Sequence, residues 1–142
     1  MSVQAIERRP TQRRTPERLL AQRFGCGVDV VELDRFRRVL SRGGEAFRRR
    51  VFTKAEEAYA NARRRTSVLH LAGRFAAKEA VIKAMSQVRP GWMPAMNQIE
   101  VRNDRLGRPS IVLHDRRAKR IQVYISLSHV NSVAVASAIA IR

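Results

Sequence analysis

Asp29 sits inside an apolar, β-branched run, Gly27-Val28-Asp29-Val30-Val31. A carboxylate there is costly unless it is paired or binds a metal. Further along, Arg74, Lys78, Glu79 and Lys83 fall within one alanine-rich stretch, Gly73 to Lys83. Glu79 and Lys83 are four apart and share a helix face, with Arg74 and Lys78 around the same side. On spacing alone this is an i,i+4 salt bridge on a solvated surface. The apolar setting argues against a simple surface helix. Cations around a carboxylate suit a magnesium–phosphate site, where the carboxylate holds the metal and the cations neutralise phosphate oxygens. If the fold brings Asp29 and Glu79 together, the chain can hold a divalent cation beside a polyphosphate. The bland alternative for Asp29 is a turn cap or a partner for one of the many arginines.

Two other features suggest chemistry and carry little of it. Ser126-Leu127-Ser128-His129 invites a hydrolase reading, but the G-x-S-x-G elbow is absent and neighbouring strand side chains diverge. A polar turn offering hydroxyl and imidazole to a ligand is the better reading. Cys26 is the only cysteine, so no intramolecular disulfide forms and an intracellular setting fits best. It reads as a small buried residue with no nearby base to activate it.

The elements that must position these groups can be read from periodicity and turn signals. The composition changes near Phe24, which divides a basic, disordered extension over 1–23 from one folded domain over 24–142. Val28 to Leu33 is a buried strand. Asp34 caps a helix to about Arg50, interrupted at Gly43-Gly44. Thr53 and Glu56 form a capping box that opens a helix to about Ala62. Ser67 caps the longest helix, which reaches about Met85 with Val68, Leu71, Ala72, Phe75 and Ile82 at helical spacing. Ile99–Arg102 and Ser110–Leu113 form a hairpin. Ile121–Leu127 and Val133–Ile141 are strands, linked by residues 128–132. Helices followed by antiparallel strands make the class α+β.

The balance of 29 Lys+Arg against 12 Asp+Glu leaves +17 on 142 residues. Such a field attracts a polyanion: nucleic acid, an anionic membrane, a phosphorylated cofactor or an acidic protein. No apolar run is long enough to span a membrane, and the Arg-rich start has no secretory h-region. Pro10, Pro16, Glu7 and Glu17 argue against an organelle transit peptide.

Several segments, in order, resemble the 4′-phosphopantetheinyl transferases of the short, stand-alone holo-acyl-carrier-protein synthase type. They are Gly27 to Glu32 with Asp34-Arg35, then Val51-Phe52-Thr53 with Glu56, then Leu71 to Ala80 with Lys83-Ala84. Ile99-Glu100-Val101, Gly107-Arg108-Pro109 and Ser126 to His129 follow. The resemblance spans about Gly25 to Ala140. It implies that fold, with helices packed on a small antiparallel sheet. It also implies transfer of 4′-phosphopantetheine from coenzyme A to a serine of an acidic acyl carrier protein, with release of 3′,5′-ADP.

By the resemblance, Asp29 and Glu79 match the magnesium carboxylates and Lys83 the group on the leaving phosphate. Arg74, Lys78 and His129 match residues around the coenzyme A nucleotide and phosphates. Arg35 opens the helix that docks the carrier, along which Arg38 and Arg42 follow. Glu79 is assigned the serine proton. A cytoplasmic homotrimer with interface active sites is expected. The chain departs from the family at Met85 to Pro90, where a Gly-rich turn is usual, at the short segment His114–Arg120, at Ile82 and in the first 23 residues. These departures bear on adenine contacts and loop closure more than on the metal site. Two rival readings are a basic nucleic-acid-binding module and a non-catalytic carrier-binding protein of the same fold. The first lacks interleaved aromatics, zinc-ligand spacing and an RNA-recognition signature. An acidic carrier accounts for the same charge and also for the two carboxylates.

Overall fold

A computed structural model describes residues 23–142. The expected basic extension lies outside the described residues except for Arg23. Among the described residues, strand β1 (Phe24–Glu32) leads into helix α1 (Leu33–Val51), then α2 (Lys54–Asn61) and α3 (Ser67–Val88). A hairpin of β2 (Ile99–Asn103) and β3 (Pro109–Leu113) follows, then β4 (Gln122–His129) and β5 (Val133–Ile141). One antiparallel sheet has the order β1-β5-β4, and β2-β3 form a second. The α+β class holds, with two small sheets where one was expected.

Helix α3 is the axis of the molecule. Ala72, Ala76, Ala77, Ala80, Val81, Ala84 and Met85 are all buried on it, as its apolar sequence demanded. Strand β1 starts four residues earlier than its β-branched run, because the glycines expected to flank it are part of it. Gly25 and Gly27 face α3, where a Cβ would stand 2.0 Å from the Ala84 carbonyl oxygen and 2.1 Å from that of Ala80. Only glycine permits that approach. Period-two alternation then puts Asp29 and Val31 on the same helix-facing side. The free edge of β1 is covered by α3 side chains. Gln87 bonds the Cys26 N–H and carbonyl at 3.2 and 2.6 Å, and the Lys83 ammonium donates to the Val28 carbonyl at 2.9 Å.

Four local expectations change. Cys26, expected to be buried, is exposed, because period-two alternation turns it away from α3. Asp34 does not cap α1; it lies in the first turn and pairs with Arg37 at 2.8 Å, while the Leu33 N–H is satisfied by the Ser132 carbonyl. Ser67 is the first residue of α3, and no side chain caps that helix. Ser128 and His129 belong to β4, because pairing with β5 continues to His129↔Ala134. The Thr53–Glu56 capping box forms, and α1 kinks at Gly44, whose φ of 50° favours glycine.

Candidate active site

Asp29 from β1 and Glu79 from α3 line one cleft of about 470 Å³, with Arg35 at the start of α1 and an apolar wall of Val31, Phe36, Val39 and Phe75. The Lys83 ammonium bonds Asp29 Oδ1 at 2.9 Å. The expected Glu79–Lys83 bridge is therefore not formed; Lys83 reaches across to the strand. Burial pushes the Glu79 carboxyl up, the Asp29 charge pushes it further, and Lys83 opposes both. Two carboxylates lining one cleft, with the charge of Asp29 raising Glu79, suit a divalent cation, which relieves their repulsion. Among the described residues no cluster of three or more His, Cys, Asp or Glu side chains completes a metal site by itself. A hard cation here needs oxygens from its ligand, as magnesium takes from phosphates.

On another side of α3, Arg74 and His129 line a second cleft of about 350 Å³ together with Tyr59, His70, Asn103 and Ser128. Arg74 is 4% exposed, stacks 4.0 Å over the Tyr59 ring and donates to Asn103 Oδ1 at 2.9 Å. Its buried Nε has no hydrogen-bond partner among the described residues. Burial pulls its guanidinium below the usual range, against the opposing charge of Glu56. This cleft holds guanidinium and imidazole groups and no carboxylate, which is a setting for an anion.

Lys78 must be reassigned. It is 0% exposed, and its ammonium donates to Glu56 Oε2 at 2.6 Å, to the Val51 carbonyl at 2.5 Å and to the Met96 carbonyl at 3.0 Å. All three protons are used inside the protein, so none remains for a nucleotide phosphate. The residues one step before and after it on α3 point elsewhere, because each helical step turns about 100°. Glu56 is equally buried and also accepts from the Val101 N–H at 2.9 Å, tying α2, α3 and β2 together. Arg35, Arg38 and Arg42 recur at helical spacing along α1 and are all exposed. Arg35 is where this basic face meets the carboxylate cleft.

Residues 25–138 match the model of the 4′-phosphopantetheinyl transferase superfamily. The chain belongs to that superfamily. This transferase is 40% identical over 124 residues to a holo-[acyl-carrier-protein] synthase of Caldicellulosiruptor saccharolyticus, covering 82% of the chain and 95% of the relative. It is 36% identical over 119 residues to the synthase of Geotalea daltonii, covering 80% and 94%. Among solved structures it is similar to the Chronobacterium ammoniagenes ACPS–CoA complex, with a TM-score of 0.72, 35% identity, and coverage of 83% and 96%. The fold is thus that of the phosphopantetheinyl transferases, as the motif order implied.

Tyr59, His70 and Asn103 were not singled out from the sequence. Tyr59 with Arg63, four apart at the end of α2, was the available signal. Asn103 becomes visible only once the β2–β3 hairpin is folded against α3.

Proposed function

We propose that this transferase moves 4′-phosphopantetheine from coenzyme A to a serine hydroxyl of an apo acyl carrier protein and releases 3′,5′-ADP. The observation that carries the reading is the Asp29–Glu79 pair, set beside Lys83 and next to the basic face of α1. Asp29 and Glu79 would hold magnesium, which when bound would supply charge neutralisation for the phosphates. Lys83, half exposed, reaches from the Asp29 side of the cleft and would neutralise the departing phosphate. The serine oxygen attacks the phosphorus that carries pantetheine, and the bond to the adenosine-side phosphate breaks. Glu79 takes the serine proton, a task eased by a carboxyl held above its ordinary range. Arg74 and His129 hold nucleotide-side phosphate. Arg35, Arg38 and Arg42 receive the acidic carrier and aim its serine at the cleft.

The outward face of β1-β5-β4 supports a homotrimer. Phe24, Val28, Val30, Tyr124, Ile139 and Ile141 are exposed on it, a patch that a lone copy would leave in water. The two clefts open on different sides of α3, so assembly can set the carboxylate cleft of one copy against the cationic cleft of the next. A cytoplasmic location accompanies these substrates, and no helix among the described residues is long and apolar enough to cross a membrane.

Incubation with magnesium, coenzyme A and an apo carrier is expected to add one phosphopantetheine group to the carrier by mass spectrometry. Glu79→Ala is expected to lower the rate by about a hundredfold or more, as loss of a charge-stabilising group does. Chelation of divalent cations should stop transfer by the wild type. Undiminished transfer by Glu79→Ala would overturn the assignment.

A further inference from the structure

The connection from β3 to β4 contains Arg116-Arg117-Ala118-Lys119-Arg120, four cations in five residues. Ala118 is buried and seats this turn, while the four charged side chains stay exposed. Beside it α3 ends, and the chain passes through Pro90-Gly91-Trp92-Met93-Pro94, where Met93 is 61% exposed. Trp92 joins the two segments. The Arg89 and Arg117 guanidinia stand over its ring at 4.8 and 5.2 Å, and Arg89 also donates to the Arg117 carbonyl. The indole N–H is buried with no acceptor among the described residues. Asp115 is committed to Arg117 at 2.7 Å. Among the described residues no carboxylate pairs with Arg89, Arg116, Lys119 or Arg120. The patch lies at the end of β4 opposite His129, and none of these residues lines the carboxylate cleft or the cationic one.

Uncompensated like charges gathered in one place favour an anionic partner. Nucleic acid and anionic lipid share that charge, and the aromatic and apolar groups separate them. Bases of a single strand need an open aromatic face to stack on. Here two guanidinia already stand over the only indole, and a nucleic acid has no use for the exposed Met93. An apolar tip with an amphipathic ring behind it, set among arginines and lysine, suits the boundary of an anionic bilayer. We propose that this end of the molecule is a peripheral docking surface for anionic phospholipid. The cations of the turn meet lipid phosphates, while Met93 and the edge of Trp92 enter the headgroup boundary. Nothing crosses the bilayer, and both clefts stay outside the contact.

Trp92 is the only tryptophan, so the emission of the whole protein reports this surface. The full chain is titrated with vesicles of phosphatidylglycerol and phosphatidylcholine in equal parts, and with phosphatidylcholine alone. Anionic vesicles should shift the emission to the blue, and brominated lipid in them should quench it; neutral vesicles should do neither. Replacing Arg116, Lys119 and Arg120 together by Ser should weaken binding about a hundredfold. Met93→Ser should weaken it about fivefold through lost apolar contact. A control that loses Arg64, Arg65 and Arg105, also exposed, carries the same net charge and should bind nearly as the wild type does. Both triple variants should melt with the wild type, because surface substitutions of this kind change stability little. Equal loss of binding in the two triple variants shows polycation behaviour alone and overturns the proposal. So does emission that anionic vesicles leave in place, or emission that a short single-stranded RNA shifts and vesicles do not.

Discussion

Lys78 and Glu79 are neighbours in sequence with opposite assignments: one tethers the interior and the other faces the cleft. A helix turns about 100° per residue, so adjacent charges cannot share a task. Lys78→Met would leave the Glu56 carboxylate buried without its cation, a loss of about 3–5 kcal/mol, read by urea denaturation. Adding Glu56→Gln should recover part of that loss, because the uncompensated charge is then gone. A second buried acid gives a pH-dependent signature. Burial raises the Glu100 carboxyl, but hydrogen bonds from Arg102 and His114 outweigh it and hold the group below its ordinary range. A depressed carboxyl contributes stability above its unfolded value, which is lost as pH falls through the folded one. Glu100→Gln should flatten that acid limb in denaturation midpoints measured across pH. At this scale Asp29 and Glu79 were legible, since an acid in an apolar run needs a reason. The partner of Lys83 was not, because it comes from a strand fifty-four residues earlier in the chain.

Between elements, the contact of β1 with α3 sets the site. Gly25 and Gly27 bring the strand backbone against Ala80 and Ala84, and the next helix-facing residue is Asp29. Gly27→Ala forces a Cβ into the Ala80 carbonyl and should cost about 1–3 kcal/mol, as overpacking does. The shift it imposes moves Asp29 relative to Glu79, so thermal melting and transfer rate should fall together. Periodicity revealed the helices and strands because their apolar residues repeat. It placed the start of β1 too late because the strand is held there by pairing with β5 and by the absence of side chains. Neither leaves an apolar signal. The end of β4 was missed for a related reason: Ser128 and His129 are polar, yet β5 still pairs with them.

For the whole molecule, charge and exposed apolar surface are the features with consequences in solution. If α1 receives an acidic carrier, reversing Arg38 and Arg42 to Glu should raise the carrier KM roughly tenfold at low salt. The penalty should shrink as added salt shortens the screening length, while the coenzyme A KM stays much less affected. Val30→Asp, on the outward sheet face where Val30 is 62% exposed, should split the proposed trimer in sedimentation and lower transfer with it. The net charge was plain from composition, but its arrangement was not: only folding sets Arg35 beside the carboxylates. The order of the strands bears on how the protein is born. β5, the last element described, lies between β1 and β4 and pairs with Phe24 through Glu32, at the opposite end of the described chain. Helices and the β2–β3 hairpin can form from nearby contacts as the ribosome delivers them, whereas β1 waits for a distant partner. The strand carrying Asp29 therefore stays unpaired through most of synthesis, and the cleft that Asp29 shares with Glu79 is among the last features to take shape.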